Sequence, residues 1–343
     1  MRTIETLAEL RHQVASARAR GERVGFVPTM GALHAGHAAL VRVARAQCDL
    51  VIVSAYVNPL QFGPGEDFAH YPRTPEKDER IAGDAGADLL WRPTQSELQP
   101  SVGGVTMTIE PGPLGRVFEG AERPGHFTGV ATIVARLIGA VRPDAMYLGE
   151  KDWQQLVIVR RLVGEFFLPV EIRAVATVRD ADGLALSCRN AYLSTDEHEA
   201  ALAIPSALMA AADAVTAGGR SVGRLRGKVE VALAAINDIE VGYVEIVDAT
   251  TLEPLDMLSD SAARLLVSAR VGSTRLIDNI ELAAVLAPKH AADKHVTAPA
   301  ATDRGAGASE AAVDDGGSDD EQDECHDELF DSQPTSNTRG PWR

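Results

Sequence analysis

The chain has 343 residues, 45% of them hydrophobic, which is enough to fill the core of one large or two medium domains and rules out a disulfide-stapled mini-protein. Its formal net charge of −16, from 33 Lys and Arg against 49 Asp and Glu, argues against broad nucleic-acid binding, because a phosphate grip needs a basic face. Cys48, Cys188 and Cys325 stand at wide spacings outside any CxxC or Cys/His pattern, so reduced thiols and a cytoplasmic location are expected; no window nears the ~20 unbroken apolar residues of a membrane span, and no apolar secretory signal opens the chain.

Residues 1–23 read as one amphipathic helix: Thr6 and Glu9 have capping-box spacing, and Leu7, Leu10 and Val14 share a face. From Val24 to Val178, β-rich runs at 24–27, 50–57, 88–91, 145–148 and 170–178 alternate with helical periods at 38–47, 75–85, 130–141 and 153–166. That alternation spells a parallel sheet with crossover helices, in which the nearly all-apolar run 50–57 is a central strand covered on both faces. Ala-rich helices at 195–218 and 225–236 follow, and then strand-like runs at 241–247, 264–271 and 274–280. Helices followed by consecutive strands suggest a small α+β domain with an antiparallel sheet. The division expected is 1–179, 180–287 and a tail, 288–343. In the tail large apolar residues are too few to offset ~1–2 kcal/mol per residue of ordering entropy, so disorder is expected. Between Asp303 and Arg343 stand 12 acidic and 3 basic side chains, which places roughly −9 of the net charge there.

Four loops carry chemistry. Pro28-Thr-Met-Gly-Ala-Leu-His-Ala-Gly-His37 lies between the first strand of the alternation and the next helix, where free N–H groups and a positive dipole end suit a phosphate. Gly31 and Gly36 allow close backbone approach, and His34 and His37, three apart, can aim at one spot and donate to an oxygen gaining charge. A helix-cap loop with two solvated histidines fits the same residues. Tyr56-Val-Asn-Pro-Leu-Gln-Phe-Gly63 follows the second strand and places Asn58 and Gln61 beyond its carboxyl end, where open α/β sheets bind ligands; a turn amide that satisfies backbone is the plain alternative. Gly149-Glu-Lys-Asp-Trp-Gln-Gln155 brings Lys151 to the same rim, with Asp152 as a helix cap and Gln155 facing the cleft. At the domain junction, Val178 and the turn Leu186-Ser-Cys-Arg-Asn190 offer Ser187 and Arg189 as a mobile phosphate clamp.

In order and spacing these four loops, together with Tyr71-Pro-Arg-Thr-Pro75 and Arg123-Pro-Gly-His-Phe127, closely resemble the pantothenate synthetase (pantoate:β-alanine ligase) family, within the HIGH-bearing nucleotidyltransferases, from the first helix to about residue 285. The resemblance implies a Rossmann-like N-terminal domain, a smaller α+β C-terminal lid and a homodimer. It also implies a two-step reaction in which ATP and (R)-pantoate give pantoyl adenylate and pyrophosphate, after which β-alanine displaces AMP. By match to the family's motifs, Met30, Gly31, Ala32, Leu33, His34, Ala35, Gly36 and His37 would line ATP, with His37 as acid/base candidate and His34 at the α-phosphate. Gly149, Glu150, Lys151, Asp152 and Val178 would also meet ATP, and Leu186, Ser187, Cys188 and Arg189 would clamp its phosphates. Gln61 would touch pantoate and β-alanine, and Gln155 pantoate. Mg²⁺ is expected on the polyphosphate, with Asp78 as its carboxylate. Two departures stand out: Cys188 replaces the Ser usual in the clamp, and the acidic tail extends beyond the usual end. An adenylyltransferase that moves AMP onto a phosphate would need basic groups where this chain has Gln61 and Gln155. A non-catalytic nucleotide-binding protein would not need His34, His37, Lys151 and Arg189 together.

Overall fold

The apolar run at 50–55 lies inside a parallel sheet, as its composition requires. The computed structural model describes residues 1–99, 107–259 and 261–282, all within the contact unit Met1–Lys289; the tail expected to be disordered, with Cys325, lies outside the described residues. The first layer runs β1 (Arg2–Ile4), α1 (Leu7–Ala19), β2 (Val24–Thr29), α2 (Ala35–Arg45), β3 (Leu50–Ala55), α3 (Pro75–Asp84), β4 (Leu89–Trp91), α4 (Gln95–Leu98), α5 (Glu119–Glu122), α6 (His126–Val141), β5 (Ala145–Gly149), α7 (Trp153–Glu165) and β6 (Glu171–Val175). Strand order is β1-β4-β3-β2-β5-β6 and every pair is parallel. From β2 the chain winds outward through β3 and β4, then returns to β5 and β6. The switch point therefore lies between β2 and β5, where a crevice opens beyond the strand ends.

One expectation needs correction. Residues 2–4 are not helical: they form edge strand β1, which pairs Arg2, Thr3 and Ile4 with Leu89, Leu90 and Trp91 of β4. The helix starts only after Thr6, whose Oγ1 accepts from the Glu9 N–H at 3.2 Å. The box is half made, because the Glu9 carboxylate pairs with Arg2 instead. Ile4 supplies the reason for the strand: it is buried in the cluster that holds Leu10, Val14 and Trp91, and three helical residues at a chain end cannot reach that cluster and also extend the sheet.

The second layer comprises α8 (Thr195–Ala201), α9 (Ala203–Thr216), α10 (Val222–Ala234), β7 (Ile239–Asp248), β8 (Ala263–Val271) and β9 (Thr274–Leu282), with antiparallel order β7-β8-β9. Among the described residues only 195–216 is long and apolar enough by composition to cross a membrane. Here it forms two helices that meet at Leu202, and Ile204, Leu208, Ala211 and Val215 of α9 join Ile246, Leu265 and Val267 of the sheet in one core cluster. The layers meet at Trp153, whose Nε1 donates to Ala249 O at 3.0 Å while the Arg264 guanidinium lies 3.5 Å above its ring. The Arg275–Glu119 ion pair adds a second tie.

Candidate active site

The loop after β2 is shaped by its own histidines. Helix α2 begins at Ala35, three residues before the expected 38–47, with His34 as its cap. The His34 Nδ1 accepts from Gly36 N at 3.2 Å, and the His37 Nδ1 accepts from His34 N at 3.3 Å. The rings stand 4.1 Å apart, centre to centre. Burial, helped by the positive charge of Lys151 and Lys77, pushes His34 down to about 4. Burial, with His34 alongside, pushes His37 down to about 3. Both rings are neutral at pH 7, and with each Nδ1 accepting, each proton sits on Nε2. Two N–H donors thus remain beside the helix end.

Behind this loop lies Asp78, the carboxylate expected for magnesium, which the structure engages with the loop itself. Its carboxylate is 3% exposed and receives Leu33 N at 2.7 Å, Ala32 N at 3.1 Å and Thr74 Oγ1 at 2.9 Å. A buried carboxylate that takes three amide and hydroxyl donors and stands outside the cavity wall anchors the histidine loop and does not face the proposed phosphate site. Gly31 and Ala32 both take left-handed φ values, +81° and +51°, to present those amides; a Cβ at Gly31 would sit 3.0 Å from Asp78 Oδ2.

In the loop after β3, Asn58 is scaffold. It is 1% exposed; its Oδ1 accepts from Leu60 N and Gln99 Nε2, and its Nδ2 donates to Gln61 Oε1 and Gly129 O. That leaves Gln61 as the working amide, with Nε2 donating to Met30 Sδ at 2.7 Å. The Gln61 main-chain carbonyl accepts from His126 Nδ1 at 2.8 Å and Arg123 Nη2 at 3.2 Å, and Arg123 is held in turn by Glu66 through two hydrogen bonds. Burial lowers His126 to about 4, so it too is neutral and donates through Nδ1.

Lys151 stands in a single turn, 150–152, before α7, with Nζ 3.7 Å from Asp152. Asp152 occupies the cap position of α7 but makes no capping hydrogen bond, contrary to expectation. The Glu150 carboxylate turns away to Arg264 at 3.2 Å. In the junction turn, Ser187 Oγ accepts from Arg189 N, and Arg189 pairs with Asp67 at 3.1 Å. Cys188 Sγ donates to Ala32 O at 3.3 Å, so clamp and histidine loop touch directly. Burial holds the Cys188 thiol above its ordinary pKa, and it acts as a small neutral donor. Cys188→Ser should accordingly leave kcat within about twofold and leave unchanged or lower the KM for ATP; a large loss of turnover in steady-state assay contradicts this.

His34, His37, Gln61, Lys151, Gln155 and Arg189 line one cavity of about 250 Å³, with Met30, Gly36, Gly149, Asp152, Val178, Leu186, Ser187 and Cys188 also in its wall. Gly31, Ala32, Leu33, Ala35 and Glu150 are not in that wall and stand behind it. The floor is the apolar face of α6, Val130, Ile133, Val134 and Leu137, with the Tyr56 hydroxyl buried beside it and unpartnered. A second cavity of about 480 Å³ opens toward β9 and shares Lys151, Gln155 and Arg189. Sequence reasoning missed this floor and the work of Arg123 and His126; the signal for them was the otherwise unassigned Arg123-Pro-Gly-His-Phe127 segment.

The family model described as pantoate-beta-alanine ligase matches residues 2–281. The chain belongs to that ligase family. A pantothenate synthetase of Moorella thermoacetica is 44% identical over 282 residues, 82% of this chain and 99% of its own length. The crystal structure of a Thermus thermophilus pantothenate synthetase superposes with a TM-score of 0.77 at 47% identity, covering 82% of this chain and all of its own. The Francisella tularensis ligase, solved with a β,γ-ATP compound and β-alanine, gives 0.67 at 31% identity over 82% of this chain and 97% of its own. The ligase fold of these relatives is thus the parallel sheet with its small antiparallel companion seen here.

Proposed function

We propose that this chain carries out its family's pantoate–β-alanine ligation through an acyl-adenylate formed in the cavity beyond the strand ends, walled by the four loops and α6. The pantoate carboxylate attacks the α-phosphorus of ATP and pyrophosphate leaves with the electrons of the broken P–O bond. The β-alanine amine then attacks the acyl carbon, and AMP leaves. The carrying observation is that His34, His37, Lys151, Arg189, Gln61 and Gln155, drawn from four separated loops, face one cavity. The Francisella relative's complex with a β,γ-ATP compound and β-alanine supports the choice of substrates.

The Nε2–H groups of His34 and His37 donate to α-phosphate oxygens as they gain charge, while Lys151 and Arg189 balance the polyphosphate. The proposed ATP neighbours are Met30, His34, Gly36, His37, Gly149, Lys151, Asp152, Val178 and Leu186 to Arg189. Gly31 to Leu33, Ala35 and Glu150 support them from behind. Gln61 meets both organic substrates and Gln155 meets pantoate, whose apolar body rests on α6. Water exclusion protects the adenylate from hydrolysis, and residues 180–287 act as a lid domain on 1–179.

Among the described residues no group of three or more His, Cys, Asp or Glu side chains could hold a metal. Mg²⁺ would arrive on the polyphosphate, since it ordinarily keeps phosphate oxygens and waters. We also propose a cytoplasmic homodimer, to be checked by sedimentation. Mixing protein, Mg²⁺, ATP, pantoate and β-alanine should yield AMP and pyrophosphate, and omitting β-alanine should still permit pantoate-dependent exchange of labelled pyrophosphate into ATP. ADP as the product would sink the adenylate route. Because the family match ends at residue 281, truncation after Pro288 should leave kcat unchanged; a folded but inactive truncation refutes this.

A further inference from the structure

We infer that Asp278 and Asn279, consecutive residues of β9, are positioning residues that hold the Lys151 turn and the clamp turn in register across the phosphate site. The inference rests on the ATP-binding reading above. β9 is apolar around them, Leu276-Ile277 before and Ile280 after, yet these two polar side chains are each only 4% exposed. Successive side chains of a strand point to opposite faces, so the pair can serve two partners at once.

Asn279 grips the first turn. Its Nδ2 donates to Glu150 O at 2.9 Å and Lys151 O at 2.8 Å, which uses both of its hydrogens. Its Oδ1 accepts from Arg264 Nη1 at 2.7 Å, and Arg264 Nη2 reaches the Glu150 carboxylate at 3.2 Å. Main chain and side chain of the turn are both fixed. Asp278 grips the second turn. Its carboxylate takes Arg179 through two hydrogen bonds of 2.6 and 3.0 Å, and Arg179 also donates to Gly183 O at 3.1 Å. The turn is closed by Leu186 N to Val178 O at 3.0 Å and leads directly into Ser187. Asn279 N donates to Asp278 Oδ1 at 2.7 Å, which ties the two grips together.

Both residues border the larger cavity and neither is in the wall that holds the histidines. They act through Lys151 and Arg189. A buried Asp–Arg pair is weak glue, often replaceable by apolar side chains without loss; what it supplies here is a fixed direction of approach for each cation.

The test is calorimetric binding of an α,β-methylene ATP analogue to the full chain. Asn279→Ala and Asp278→Asn should each weaken binding about tenfold. In a Lys151→Ala background Asn279→Ala should add less than twofold, and in an Arg189→Ala background Asp278→Asn likewise, because the group each one positions is already gone. Should Asn279→Ala fail to fold, Asn279→Ser, too short for both carbonyls, undergoes the same measurements. Wild-type affinity in the folded single variants, or the same tenfold loss in the Lys151→Ala background, overturns the inference and leaves only inter-layer glue. Failure of the wild type to bind the analogue overturns the ATP reading as well. A wild type that binds the analogue and, given ATP, pantoate and β-alanine, releases AMP, alongside variants that match its affinity for the analogue, overturns this inference alone.

Discussion

His37→Ala should lower kcat about 100-fold, roughly 2.7 kcal/mol of transition-state stabilisation, the scale of one oxyanion donor. The imidazole offers Nε2–H because its Nδ1 is spent on His34 N, so the variant loses both a donor and a cap for the loop. His37→Gln, which keeps an N–H, should recover part of the loss. Steady-state AMP formation measures both, and an unchanged kcat in His37→Ala removes this residue from the mechanism. A pH dependence follows with a definite sign. A solvated histidine changes charge near 6.5, but His37 held to about 3 and His34 to about 4 stay neutral down to pH 5. Turnover should show no histidine limb between pH 8 and 5.5 while the protein stays folded. Stability behaves otherwise. Below pH 6.5 the unfolded chain protonates His34, His37 and His126 while the native state does not, so stability falls with pH, by up to about 1.4 kcal/mol per unit for each. Thermal melts separate the two effects.

Gly129→Ala should do the most damage of any single added methyl. Its Cβ would lie 2.1 Å from Leu60 O, 2.4 Å from Leu60 C and 2.6 Å from Gln61 N, all of them backbone atoms that cannot swing aside. Alanine gains about 1 kcal/mol of helix propensity over glycine, yet the overlap forces α6 off the 59–61 turn. It also disturbs the Asn58 Nδ2 bond to Gly129 O. A net loss of about 3 kcal/mol is expected, near the top of the range for overpacking, and with it a Tm lower by roughly 6–12 °C. Because the displaced turn carries Gln61, KM for pantoate and β-alanine should rise at temperatures where the variant is folded. Wild-type values of both Tm and KM would show that the helix and turn can separate freely.

Much of this was legible in the residues. The apolar run at 50–57 announced a central strand, of which 50–55 is β3, because a strand covered on both faces has that texture, and the loops after β2, β3 and β5 fell at the strand ends where parallel sheets collect ligands. What stayed hidden is long-range. Nothing near Asp78 reveals that its partners are the amides of Ala32 and Leu33, 46 and 45 residues away, so a carboxylate beside a phosphate motif reads as a metal ligand. Arg2 to Ile4 is too short for any periodicity to reveal β1. Asp278-Asn279 within an apolar strand was a visible irregularity, but its meaning depends on Arg179 and the 150–152 turn, which only folding brings alongside.

The two cations proposed to meet phosphate are already engaged, Arg189 with Asp67 and Lys151 with Asp152. An incoming anion must compete with a carboxylate for each, so it wins only by carrying several charges at once. A triphosphate does; the monophosphate left at the end of the cycle does not. On the proposed ATP reading, the resident acids therefore bias the pocket toward the triphosphate and against AMP, while pyrophosphate, which also carries several charges, escapes that bias.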